Sequence, residues 1–121
     1  MDDIYRQGTS GRWSDTVAWQ GLLFLCEVPE DLEGSLAAQA AEVLRCLEQR
    51  LAAGGSHKGR LLSATIYLPD PADLADFNRL WEAWLPAGTA PVRACLHASL
   101  TDPRMRVEIQ AIAAASPGPN P

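Results

Sequence analysis

Apolar residues along this chain recur in seven blocks, and the spacing inside each block predicts its secondary structure. Thr16-Val17-Ala18-Trp19 and Leu22-Leu23-Phe24-Leu25-Cys26 flank Gln20-Gly21 and read as two strands of a hairpin. Pro29 and Glu30-Asp31 close the second strand. Leu36, Ala40, Val43, Leu44, Leu47 and Leu51 then recur at steps of three and four, the period of a helix with one buried face. Ser35 is placed to cap that helix and Gly54-Gly55 to stop it. Leu61 to Leu68 is apolar and β-branched, reads as a buried strand, and ends at Pro69. Asp70-Pro71-Ala72-Asp73 opens a second helix, with Asp70 or Asp73 as its cap. Its apolar face is Leu74, Phe77, Leu80, Trp81 and Trp84, and Pro86 and Gly88 break it.

The last two blocks, Ala90–His97 and Arg106–Ala113, read as short strands separated by Thr101-Asp102-Pro103. Side chains alternate across a strand, so Arg93, Cys95 and His97 share one face and Val92, Ala94 and Leu96 the other. Val107, Ile109 and Ala111 likewise oppose Glu108, Gln110 and Ile112.

The predicted order is ββαβαββ, an α+β layer of one sheet with both helices on one face. Residues 12–115 form the single domain. The polar segment 1–11 is expected to be flexible, and the proline-rich tail 116–121 disordered. The pattern supplies no third helix for the second face of the sheet, so a cyclic oligomer is the expected cover.

Composition narrows the classes of function. With 10 basic and 15 acidic residues the net charge is −5, which argues against a broad nucleic-acid surface. No apolar run approaches the ~20 residues that span a bilayer, and the N-terminus lacks the apolar stretch of a secretory signal. The three cysteines, Cys26, Cys46 and Cys95, are widely spaced, and only His57 and His97 are histidines. No zinc-like cluster results, and reduced thiols in the cytoplasm are the simple expectation.

The candidate chemistry lies in the last two strands. A guanidinium and a carboxylate on neighbouring strands can pair with each other or hold a small polar molecule between them. For Arg93 the alternatives are a carboxylate-binding anchor and a structural salt bridge to Glu108 or to another subunit. Glu108 is either a base that activates water or the carboxylate that orders Arg93. Cys95 shares the face of Arg93 and is expected to line the same cleft, but no histidine is placed to make it a nucleophile. Glu27 is read as a second cleft carboxylate or as a solvated strand end, and His97 as a structural or interface residue.

Pro91-Val92-Arg93-Ala94-Cys95, followed fifteen residues after the arginine by Glu108 in Val107-Glu108-Ile109-Gln110-Ala111-Ile112-Ala113, resembles the YjgF/RidA family, the reactive intermediate deaminases. The likeness runs from about Trp13 to Ala113. Supporting matches are the helix with Gln39, the turn Ala53-Gly54-Gly55-Ser56, the strand Ser63–Leu68 and Asp73-Leu74-Ala75-Asp76-Phe77-Asn78 with Trp81. The resemblance implies a chorismate-mutase-like fold with a mixed sheet and a homotrimer with three clefts between subunits. In deaminating members those clefts hydrolyse 2-imino acids to 2-oxo acids and ammonia without a metal or organic cofactor. It further implies Arg93 as the carboxylate anchor, Glu108 as the residue that handles water, and Trp13 as an aromatic cleft wall, with core or interface packing its alternative. Cys95 and Cys26 are candidate substrate-binding residues, Cys26 being read alternatively, like Cys46, as a packing residue. The chain departs from the family pattern in Trp13-Ser14, where many members have tyrosine before serine. It departs again in Leu25-Cys26-Glu27, which replaces Ser/Ala-Gly-Gln, and in Gln110 for a second acid, which aligns it with divergent branches. Two other functions remain on the table: a non-catalytic trimer that binds small carboxylates such as 2-oxo acids, and the ribonuclease or translation-inhibitor activity attached to some members.

Overall fold

Gln20 and Gly21 both take left-handed backbone angles, with φ of 50° and 79°, as a two-residue hairpin turn requires. That turn joins strand β2 (Thr16–Trp19) to β3 (Leu22–Glu27) and fixes their register, with Thr16 opposite Leu25 and Trp19 opposite Leu22. The computed structural model describes residues 3–115. Preceding the hairpin is a three-residue strand, β1 (Tyr5–Gln7), and following it are α1 (Leu36–Ala53), β4 (Leu61–Leu68), α2 (Leu74–Trp84), β5 (Val92–His97) and β6 (Glu108–Ala114). The six strands form one sheet in the order β1-β2-β3-β6-β4-β5. β4 and β5 run parallel and the other neighbours antiparallel, so the sheet is mixed.

The helix signals act as their chemistry predicts. The Ser35 side chain accepts a hydrogen bond from the Ala38 N–H at 3.2 Å, and Gly54 donates back to Arg50 and Leu51 carbonyls. Leu36, Ala40, Val43, Leu44, Leu47 and Leu51 are all buried. With Phe77 and Trp81 of α2, they pack on the sheet face that carries Leu23, Ile66 and Ile109. Fully burying each large apolar side chain contributes roughly 1.5–3 kcal/mol, and this single interface holds the core.

Among the described residues no helix lies over the opposite face. Val17, Trp19, Leu22, Phe24 and Ile112 point there, together with Val92 and Leu96 at the far edge; Val92 is 78% exposed.

Two expectations change and a third is narrowed. Residues 5–7 are not part of a flexible arm: Tyr5, Arg6 and Gln7 pair with Ala18, Val17 and Thr16, making the order βββαβαββ. Their polar sequence carries no alternation, so pairing rather than patterning makes this strand. Second, β5 and β6 are not neighbours, because β4 lies between them. Third, α2 is entered through a 3-10 turn, Pro71–Asp73, capped by Asp70, while Asp73 makes no side-chain cap bond. The proline-rich tail, 116–121, lies outside the described residues. Among the described residues no helix is long and apolar enough to cross a membrane.

Candidate functional site

Arg93 sits on β5, one of the two edge strands, in register with Ala64 of β4. Ala64 belongs to the core face, so alternation turns Arg93 toward the helices. There its Nη1 donates to Asn78 Oδ1 of α2 at 2.9 Å. Among the described residues no carboxylate pairs with Arg93. Cys95, two residues on, lies on the same face opposite Ile66 and packs against the core. Burial pushes its thiol upward and the charge of Arg93 only partly opposes this, so Cys95 is a half-buried packing thiol there. His97 follows on that face, with Nδ1 3.3 Å from the Leu68 carbonyl.

Glu108 opens β6 opposite Tyr67 of β4. Its neighbour Ile109 is buried in the core, so Glu108 and Gln110 turn to the uncovered face. Cys26 of β3 is on that face too, opposite Gln110. Its Sγ donates to Glu108 Oε2 at 3.4 Å. Desolvation first, then the charge and hydrogen bond of Glu108, push the Cys26 thiol up to about 12, so it stays protonated at neutral pH. A shallow depression of about 370 Å³ beside this pair is lined by Ser14, Val17, Phe24, Cys26, Thr65 and Gln110, among others.

Trp13 belongs to the loop between β1 and β2. Ser10 folds this loop by donating its N–H to the Trp13 carbonyl at 2.8 Å, and its hydroxyl oxygen accepts from the Trp13 N–H at 3.2 Å. The indole itself is 64% exposed and does not line the depression; its neighbour Ser14 does.

The sheet therefore divides the expected residues. Arg93 and Cys95 are on the helix side of the edge strand; Cys26 and Glu108 meet on the open face; Trp13 stands in a loop. A salt bridge between Arg93 and Glu108 within one chain does not form. One full strand separates them, and their parities in the sheet place them on opposite faces. Within one chain Cys95 and Cys26 likewise lie on opposite faces.

Glu27 is neither a cleft acid nor a solvated strand end. It is buried toward α1 and ion-paired with Arg50, which also reaches Asp15 at 3.5 Å. Desolvation raises its pKa, against the hydrogen bond and charge of Arg50.

Two further groups order the backbone beside Glu108; both fall in motifs matched above, but their partners are not visible in the sequence. Asp73 is buried and receives Arg106 in a fork, Nε to Oδ2 at 3.1 Å and Nη2 to Oδ1 at 2.9 Å. Gln39, at 1% exposure, donates to the carbonyls of Gly34 and Arg104 at 3.2 and 3.0 Å and accepts the Arg106 N–H at 2.7 Å. Together they fix the backbone two residues before Glu108. The available signal is a glutamine on the apolar stripe of α1, where solvent cannot satisfy it. Among the described residues no group of three or more His, Cys, Asp or Glu is arranged to hold a metal ion.

The chain resembles known proteins over most of its length. The family model described as Endoribonuclease L-PSP matches residues 5–115. The RutC family protein YoaB of Escherichia coli is 40% identical over 111 residues, covering 92% of this chain and 97% of that protein. A 2-iminobutanoate/2-iminopropanoate deaminase of Escherichia coli is 32% identical over 89 residues, covering 72% of this chain and 66% of the enzyme. A crystal structure of a YjgF family member from Neisseria meningitidis superposes with a TM-score of 0.90 at 44% identity, covering 96% of this chain and 98% of that one.

Proposed function

Because the chain belongs to the YjgF/RidA family, whose family model is described as Endoribonuclease L-PSP, we propose that it hydrolyses small 2-imino acids to 2-oxo acids and ammonia in clefts between the subunits of a homotrimer. The observation that carries this reading is Arg93: a half-buried guanidinium in the Pro91–Cys95 motif, held by a neutral amide with no carboxylate of the described residues paired to it. An arginine so placed keeps its full charge for a ligand carboxylate.

In this reading Arg93 binds the substrate carboxylate and sets the imine carbon in place. Water oxygen bonds to that carbon while the carbon–nitrogen π bond passes its electrons to nitrogen. Glu108 takes a proton from the water and passes it to nitrogen, giving the carbinolamine. It then takes the carbinolamine hydroxyl proton and passes it to the amine, and as the carbonyl π bond forms the carbon–nitrogen bond breaks, leaving ammonia and the 2-oxo acid. The imine carbon is already electrophilic, so orientation and one base supply what the reaction needs.

Arg93 and Glu108 lie on opposite faces of one sheet, so a site that uses both is completed by a second copy of the chain. The uncovered apolar residues Val17, Phe24 and Ile112 support burial of that face in an assembly. Three free cysteines fit a reducing compartment such as the cytoplasm. An RNA substrate is disfavoured by the net charge of −5.

The test is ammonia release from freshly generated 2-iminopropanoate and 2-iminobutanoate. Arg93→Ala is expected to abolish acceleration with secondary structure and oligomeric state intact, and Glu108→Gln to lower kcat at least about a hundredfold. No acceleration by the folded wild type would sink the enzymatic reading for those substrates. The hydrogen bond that Cys26 makes to Glu108 favours a second reading, a trimer that binds 2-oxo acids without turnover. Pyruvate binding that is lost in Arg93→Ala, with no ammonia released by wild type, selects it.

A further inference from the structure

Resting on the assignment of Arg93 as the carboxylate anchor, we propose that Asn78 is the positioning residue that aims this guanidinium while leaving its charge uncompensated. Arg50, Arg79, Arg104 and Arg106 each hold a carboxylate. Arg93 instead meets the amide oxygen of Asn78 at 2.9 Å.

The difference between amide and carboxylate is decisive at an anchor. A carboxylate would fix the guanidinium equally well, but it would also satisfy its charge and compete with the ligand for the same donors. The amide oxygen takes a hydrogen bond from Nη1 and adds no net charge. Five N–H donors in a rigid fork start the inventory; the pair on Nε and Nη2 meets no protein acceptor among the described residues and suits two parallel hydrogen bonds to a ligand carboxylate.

Asn78 is itself held still. Its neighbour Phe77 is fully buried, and Trp81, three residues on, is buried too and stacks on Phe77 with ring centroids 6.0 Å apart. Those rings fix the rotation of α2 and hence the direction of the side chain at 78. An asparagine has two side-chain torsions, so little freedom is left to the hydrogen-bond acceptor. The long arginine, whose free rotamers would otherwise be lost on ligand binding, is ordered before the ligand arrives.

The experiment compares Asn78→Asp and Asn78→Ala with wild type and Arg93→Ala, using the full chain. Pyruvate binding is measured by calorimetry, KM and kcat with 2-iminopropanoate by ammonia release, and stability by thermal unfolding. Asn78→Asp is expected to leave Tm unchanged or raise it while weakening pyruvate binding and raising KM about tenfold, with kcat little changed. Asn78→Ala is expected to weaken binding about three- to tenfold through lost orientation and provides the answer if the aspartate variant does not fold. A purely structural role predicts that Tm and binding fall together, or that the new ion pair improves Tm with binding intact. Either result overturns the inference, as does wild-type affinity in both variants. If Arg93→Ala loses pyruvate binding while both Asn78 variants keep it, the positioning role alone falls. If wild type neither binds pyruvate nor releases ammonia, the anchor reading falls first and takes this inference with it.

Discussion

Replacing Gln39 with leucine removes an amide that joins three parts of the chain while keeping a side chain of similar bulk on the buried stripe of α1. The amide makes three hydrogen bonds, to the carbonyls of Gly34 and Arg104 and from the N–H of Arg106. The first two acceptors lie near solvent and can be partly rehydrated, so each loss costs about 0.5–1 kcal/mol. The Arg106 N–H precedes the fully buried Val107, and an unsatisfied donor there costs about 1–3 kcal/mol. The sum is about 3 kcal/mol, offset slightly by leucine's greater apolarity. Urea unfolding of both proteins at one fixed concentration reads this directly, because assembly makes apparent stability depend on concentration. A midpoint lower by roughly 1–2 M is expected with an unchanged slope. Because Arg106 is two residues before Glu108, turnover should fall as well, while pyruvate binding through Arg93 persists. A loss below about 1 kcal/mol would refute the reasoning, since it would mean that Gln39 holds nothing the solvent cannot replace.

The remaining expectations concern titration and thiol reactivity. Glu27 has a folded pKa above its ordinary 4.5, so the folded state binds its proton more tightly than the unfolded chain does, and its contribution to stability is lost as pH rises from 4.5 through the folded value. Unfolding free energies of wild type and Glu27→Gln measured from pH 4 to 7 should therefore diverge, the wild type declining more steeply as pH rises; parallel curves would show that Arg50 fully offsets the burial. Cys26 should react slowly with iodoacetamide at pH 8 despite its exposure, and Glu108→Gln should accelerate its alkylation, followed by mass spectrometry, because the carboxylate is one cause of the raised thiol pKa. An unchanged rate would mean the contact between Cys26 and Glu108 does not form in solution.

Much of the fold is legible in the apolar spacing. The hairpin, α1 from Leu36 to the Gly54 stop, and β4 from Leu61 to Leu68 follow from periodicity and turn chemistry alone. The faces of β5 and β6 also follow, since alternation is local. What alternation does not carry is which strand lies beside which. The insertion of β4 between β5 and β6 is a matter of connection, and it separates the expected neighbour pair, Arg93 and Glu108, which register parity also leaves on opposite faces. Long-range partners are equally hidden. Glu27 looks like a strand-end acid because Arg50 is 23 residues away, and Asp73 looks like a helix cap because Arg106 is 33 residues away. At β1, three polar residues are made a strand by the edge they pair with, not by any preference of their own.

The parallel pairing of β4 with β5 has a consequence for how this protein can change. Parallel neighbours need a crossover, and here the crossover is α2, so Asn78 and Arg93 belong to one continuous β–α–β stretch. The Asn78–Arg93 contact thus belongs to one module, built from residues 61–97 and formed without β1, β2 and β3 on the far half of the sheet. Changes at positions such as Cys26 and Glu27 can accumulate in that other half without disturbing the contact between Asn78 and Arg93. A lineage built this way can remodel one half of its sheet while the arginine of the other half keeps its place.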